Sequence, residues 1–166
     1  MKTKGKVSVV MSAHNNQDCV GRMMYSLLNS TYTDLEILCF DNLSTDKTVE
    51  ILKEFELEDE RVKVFENSFN FQSKLEKVTG EYVMFVNAVD ELMFDGIANI
   101  MNCFNQEIDV VVSGVRYDNN MGELAFATPN KNVVGKISDA EVFAELCNLN
   151  NNGKYVAMLE YIEKVF

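Results

Sequence analysis

An α/β domain on a mostly parallel sheet is the fold class this sequence predicts. Short apolar runs bounded by polar loops alternate with segments of helical spacing. The apolar runs are continuous rather than alternating, which suits strands covered on both faces. No repeat, linker or charge block divides the 166 residues, a length that fits one domain.

The elements follow in order. Residues 7–11 form a short apolar run, ended by Ala13-His14-Asn15-Asn16, and read as a first strand. Cys19, Val20, Met23, Met24, Leu27 and Leu28 then recur at helical spacing. Residues 35–40 read as a second strand. Ser44-Thr45-Asp46 can cap a helix whose stripe is Val49, Leu52 and Phe55, with Ile51 beside it. Residues 61–65 give a third strand. Residues 82–86 give a fourth, apolar throughout and therefore central. Asp95 caps a helix over 95–105 with Ile97, Ile100, Met101 and Phe104 inward.

Residues 109–115 read as another buried strand, followed by a turn at 118–122 and a returning hairpin strand at 123–126. Ser138-Asp139-Ala140-Glu141 is a capping box for a helix bearing Val142, Phe143, Leu146 and Leu149. Tyr155, Met158, Leu159, Ile162, Val165 and Phe166 trace one face of an expected last helix.

Charge narrows the partners. Acidic residues outnumber basic ones 26 to 15, for a formal net charge of -11. That field repels phosphate backbones and anionic lipids, so nucleic acid and membrane surface are poor partners. It also opposes any anionic ligand, so a nucleotide would need local help from a metal, a helix N-terminus or a basic side chain.

Cys19, Cys39, Cys103 and Cys147 are scattered, and His14 is the one histidine to join them. They read as small buried apolar residues in a reducing cytosol, not as a zinc cluster. No apolar run approaches the ~20 residues of a membrane span. The basic start leads into a run too short for a secretory signal, which points to a cytoplasmic protein.

Ligands of parallel sheets bind at the carboxyl ends of strands, so three loops matter. The first carries Ser12-Ala13-His14-Asn15-Asn16 beside a helix N-terminus; helix capping by Asn15, Asn16 or Asp18 is the structural alternative. The second carries Asp41-Asn42-Leu43-Ser44-Thr45-Asp46, where Asp41 either accepts from a base or ribose or closes an Asx-turn. The third carries Asn87-Ala88-Val89-Asp90-Glu91, a candidate hard-cation site or a solvated loop start.

Together these stretches, with Asn29-Ser30-Thr31-Tyr32-Thr33-Asp34-Leu35-Glu36-Ile37, Thr79-Gly80-Glu81-Tyr82 and Ile108-Asp109-Val110-Val111-Val112-Ser113-Gly114, resemble the family 2 glycosyltransferases of the GT-A fold. The similarity runs over about 6–117 and faintly on to 149, leaving 118–166 as the weakly matched part of a single domain. The resemblance implies a Rossmann-like, mostly parallel sheet flanked by helices on both faces. It implies transfer of a sugar from a nucleotide diphosphosugar, usually a UDP-sugar, to an acceptor hydroxyl with inversion. Ser12, Ala13, His14 and Asn15 would then lie along the nucleotide, and Asp41 and Asn42 against its base. Mn2+ or Mg2+ would be held by carboxylates of the third loop, here Asp90 with the amide of Asn87.

The sequence departs from that pattern at the metal. Where the family reads Asp-Ser-Asp-Asp, this chain reads Asn87-Ala88-Val89-Asp90. Each lost carboxylate removes roughly 3 kcal/mol of attraction for a cation 5 Å away at an effective dielectric of 20. The stretch 67–74 is shorter than the family's donor loop and lacks its Gly and Arg-Asn pair, and no residue here is assigned as the catalytic base. Two readings stand: a transferase completed by sequence or a chain beyond these residues, and a noncatalytic relative serving as a binding or scaffold module. A homo-oligomer or partner chain is expected where the acceptor half would sit. A third reading, another nucleotide-binding α/β domain, lacks a glycine-rich phosphate loop.

Overall fold

The computed structural model describes residues 5–66, 76–104, 110–112, 116–118, 124–127, 133–135 and 161–164. In chain order these give β1 (Val7–Ala13), α1 (Val20–Leu28), β2 (Leu35–Asp41), α2 (Thr48–Glu58), β3 (Val62–Phe65), β4 (Tyr82–Asn87) and α3 (Gly96–Cys103). Five short strands follow: β5 (Val110–Val112), β6 (Arg116–Asp118), β7 (Leu124–Ala127), β8 (Val133–Gly135) and β9 (Tyr161–Lys164).

One sheet has the order β3-β2-β1-β4-β9-β5-β8. Its first four strands are parallel. The others join through antiparallel pairs. A hairpin is present as a separate pair, β6 with β7, but its first strand is Arg116–Asp118 and takes in Asp118 of the expected turn; β5, from the expected run 109–115, pairs with β8 and β9 instead.

Period-two alternation sends each strand's residues to opposite faces. Val7, Val9, Met11 and Ala13 of β1 share a core with Ile37 and Cys39 of β2 and Met84 and Val86 of β4. The same core takes Val20, Met23, Met24 and Leu27 of α1, Leu52 and Phe55 of α2, and Ile97, Ile100 and Met101 of α3. All three described helices therefore pack on one face. Val10, Leu38 and Phe40 point the other way, beside Phe65, Val78 and Phe85. Helical cover of that second face, the other half of the two-faced expectation, lies outside the described residues. So does the expected helix that opens at Ser138.

The expected last helix is corrected over 161–164, and its other residues lie outside the described ones. Tyr161–Lys164 is a strand, antiparallel to both β4 and β5. Apolar spacing suggested a helix, but a sheet edge on either side offers this backbone a complete set of partners. Tyr161 and Ile162 also favour extended structure.

A polar knot ties the amino ends of the strands. Glu36 accepts hydrogen bonds from Lys6 Nζ at 2.9 Å, Thr79 N at 2.7 Å, Thr79 Oγ1 at 2.8 Å and the Ser8 hydroxyl. Ser8 Oγ in turn accepts from Gly80 N at 2.8 Å. Burial alone would raise the Glu36 carboxyl, but the donors from Lys6, Ser8 and Thr79 outweigh it and hold the pKa at about 2.

Candidate functional site

Parallel register sets the site. Ala13 of β1 lies opposite Asp41 of β2, and Ser12 lies opposite Asn87 of β4. Neighbouring strands are about 4.8 Å apart, so the ends of β2 and β4 stand roughly 10 Å apart across β1. Chain order reverses between β1 and β4, and a crevice opens at such a switch point. The structure thus brings Ser12, Ala13, His14, Asn15, Asp41, Asn42 and Asn87 to one end of the sheet.

Cross-bonds tie the first two loops together. Asn15 N donates to Ser44 Oγ at 2.9 Å, and Thr45 N donates to Asn15 Oδ1 at 2.8 Å. His14 Nδ1 lies 2.7 Å from the Asn42 carbonyl oxygen, so that ring nitrogen carries the proton. Asn16 N donates to Thr48 Oγ1 at 2.7 Å, and Gln17 N to Asp46 Oδ2 at 3.1 Å. These bonds revise the capping alternative for this loop. The Asn15 side chain reaches Thr45, and Asn16 Oδ1 accepts from His14 N at 2.7 Å. Capping at α2 comes from Asp46, whose Oδ1 accepts from Thr48 N at 2.9 Å.

Two residues here have left-handed backbones, Asn15 at φ 52° and Leu43 at φ 61°. Asparagine tolerates that region, whereas a leucine there costs roughly 1–2 kcal/mol. Leu43 gains little from burial in return, since it is 48% exposed.

Asp41 is bonded within its own loop. Its Oδ2 accepts from Ser44 N, three residues on, at 3.0 Å, so the carboxylate braces its own loop without forming the two-residue Asx-turn. The residue is only 2% exposed, and its Oδ1 is buried with no hydrogen-bond partner. A buried carboxylate oxygen without a donor is costly, which makes this atom a candidate acceptor.

The third loop is built differently. Asn87 N and Nδ2 each stand 3.3 Å from Asp90 Oδ2, so the carboxylate folds back onto its own turn. Burial raises the Asp90 pKa, and the bonds from Asn87 only partly offset it. Val89 is exposed, as are Met93 and Phe94 further along. Asp95 begins α3 without a side-chain capping bond, contrary to expectation, and its Oδ1 is also buried and unpartnered. Among the described residues no group of three His, Cys, Asp or Glu could hold a metal ion. The donors present do not fit a divalent cation of the expected kind: one carboxylate is turned inward, and an apolar side chain stands where a ligand should.

The sequence reading missed the Asn16–Thr48 and Gln17–Asp46 ties. Complementary donors and acceptors in the two loops were the only signal, and pairing across some thirty positions is not legible without the sheet register.

A parallel sheet whose strand order reverses beside β1 is of the doubly wound α/β type, in which ligands are taken at the carboxyl ends of the strands. The chain belongs to glycosyl transferase family 2, whose family model matches residues 8–162. A GalNAc(5)-diNAcBac-PP-undecaprenol beta-1,3-glucosyltransferase of Campylobacter jejuni is 29% identical over 61% of this chain and 35% of that protein. A poly(ribitol-phosphate) beta-glucosyltransferase of Bacillus spizizenii is 30% identical over 61% of this chain and 17% of its own length. The chain thus spans about a third or less of these relatives.

Among solved structures, S. aureus TarS 1-349 in complex with UDP-GlcNAc superposes with a TM-score of 0.63 at 20% identity, over 75% of this chain and 37% of that one. A mannosyltransferase from Pyrobaculum calidifontis, in complex with GDP-Man and Mn2+, gives 0.62 at 19% identity, over 70% and 37%. The fold is that of the GT-A glycosyltransferases. Among the described residues no helix is long and apolar enough to cross a membrane.

Proposed function

We propose that this chain forms the donor-nucleotide half of an inverting family 2 glycosyltransferase and binds a nucleotide diphosphosugar, most simply a UDP-sugar. The observation that carries this reading is Asp41, almost fully buried, with one carboxylate oxygen unpartnered at the open end of the sheet. An imide N–H of a pyrimidine base is the donor that oxygen lacks. His14, Asn15 and Asn42 then line the nucleoside, held in place by the ties between the loops. The TarS complexes with UDP and UDP-GlcNAc, which share this fold, support a nucleotide as the class of ligand.

In this reading the residues present bind and orient the donor. Among the described residues none is assigned as the base that deprotonates the acceptor. Cys19 N and Val20 N both donate to the Asn16 carbonyl, so those amides at the start of α1 are already occupied. Those two amides are therefore not offered to the diphosphate, and in this reading the base contributes most of the recognition. Calorimetric titration with UDP tests the reading. Saturable one-to-one binding is expected, and its absence with UDP, GDP and CDP alike would refute it.

A second reading, binding without transfer, is favoured by one observation: Asp90 is tied to Asn87 rather than presented to a ligand. Release of free sugar from a UDP-sugar by the chain would count against it.

A further inference from the structure

We propose that Leu43 is a specificity-determining residue of the nucleotide site, packing against the face of the base whose polar edge is held by Asp41. The inference rests on the nucleotide reading above. At φ 61°, Leu43 adopts a backbone conformation open to glycine and rare for a branched side chain.

Nothing in the loop's own bonding calls for a side chain there. The loop's own bond runs from Ser44 N to Asp41 Oδ2, and the tie to the first loop runs through Ser44 Oγ. A glycine at 43 would leave both intact. Burial does not account for leucine either, because almost half of the residue is exposed. Strained positions of this kind cluster at ligand clamps.

Leu43 also lies two residues beyond Asp41, whose Oδ1 is buried and unpartnered. A nucleobase presents flat apolar faces and a polar edge. An aliphatic side chain suits the face, and a carboxylate oxygen suits an N–H on the edge. The base is also the uncharged part of a nucleotide, the part that a chain of net charge -11 does not repel.

The test measures UDP and GDP affinity by calorimetry, and the melting temperature of the ligand-free chain, for wild type, L43G, L43N and L43M. Leu43→Gly should raise the melting temperature by about 1–4 °C as strain is relieved. It should nonetheless weaken the tighter-binding nucleotide about 10-fold. Leu43→Asn tolerates the same φ and keeps a side chain, yet should weaken binding similarly. Leu43→Met should stay within about 3-fold of wild type, because it restores an apolar surface.

Unchanged or tighter binding in L43G and L43N overturns the proposal and leaves the nucleotide reading standing. A loss in L43M as large as in L43N also overturns it. A lower melting temperature in L43G removes the strain on which the inference stands. A wild-type chain that binds neither nucleotide overturns the inference together with the reading beneath it.

Discussion

Asn15 and Thr45 are joined across thirty residues of chain, with the Thr45 N–H donating to Asn15 Oδ1 at 2.8 Å. The pair links the loop after β1 to the loop after β2 and so holds the mouth of the crevice. Asn15 also sits at φ 52°, a conformation its short amide side chain tolerates. Asn15→Ala loses the bond and keeps the backbone demand. It should cost about 2 kcal/mol, a drop of about 4–8 °C in melting temperature. Asn15→Gly loses the bond alone and should cost less. Thermal unfolding followed by circular dichroism separates the two.

Asp41→Asn probes the unpartnered oxygen. The amide keeps an oxygen for the Ser44 N–H and replaces the free acceptor with a donor. UDP affinity should fall at least about 10-fold, since a donor would then face a donor. Far-ultraviolet circular dichroism should remain that of the wild type. Undiminished affinity would detach Asp41 from the base.

Glu36 links stability to pH. Its pKa is depressed from 4.5 to about 2 in the folded chain, so the carboxylate's contribution is complete above about pH 5. It is lost as pH falls toward 2. Glu36→Gln should therefore destabilise the chain by about 1–3 kcal/mol at pH 7 and by progressively less on acidification. Denaturant melts of both proteins at pH 7 and pH 3 measure this; a constant gap between them would contradict it.

Two glycines should respond in opposite directions. A Cβ at Gly80 would meet Lys6 O at 2.6 Å and Ser8 N at 2.9 Å, both backbone atoms of the neighbouring strand and its approach. Gly80→Ala should cost about 1–3 kcal/mol. A Cβ at Gly21, inside α1, meets nothing within 4 Å. Gly21→Ala should gain about 0.5–1 kcal/mol from helix propensity and a less flexible unfolded chain. Chemical denaturation of both variants gives the two signs.

The parallel strands were legible because burial on both faces writes them as unbroken apolar runs, as in Val83-Met84-Phe85-Val86. Asp41 was legible because it stands at the end of such a run. β9 was not: Tyr161 and Ile162 fit a helical stripe equally well, and only the open edges of β4 and β5 decide for a strand. The knot of Lys6, Ser8, Glu36 and Thr79 was also invisible, because its members lie up to 73 positions apart. The orphaned Asp41 oxygen and the left-handed Leu43 are properties of backbone geometry, which residue type does not reveal.

The central claim is that Asp41 and the loop after β1 bind a nucleoside diphosphate through its base, without a metal bound by Asn87 and Asp90. Its most direct test is the melting temperature of the chain with UDP, in Mn2+ and in EDTA. At 100 times the dissociation constant a ligand stabilises by about 2.7 kcal/mol, or roughly 5–10 °C at this length. The account predicts a rise of that size that is equal in Mn2+ and EDTA. A rise that needs Mn2+, or no rise at all, would contradict it.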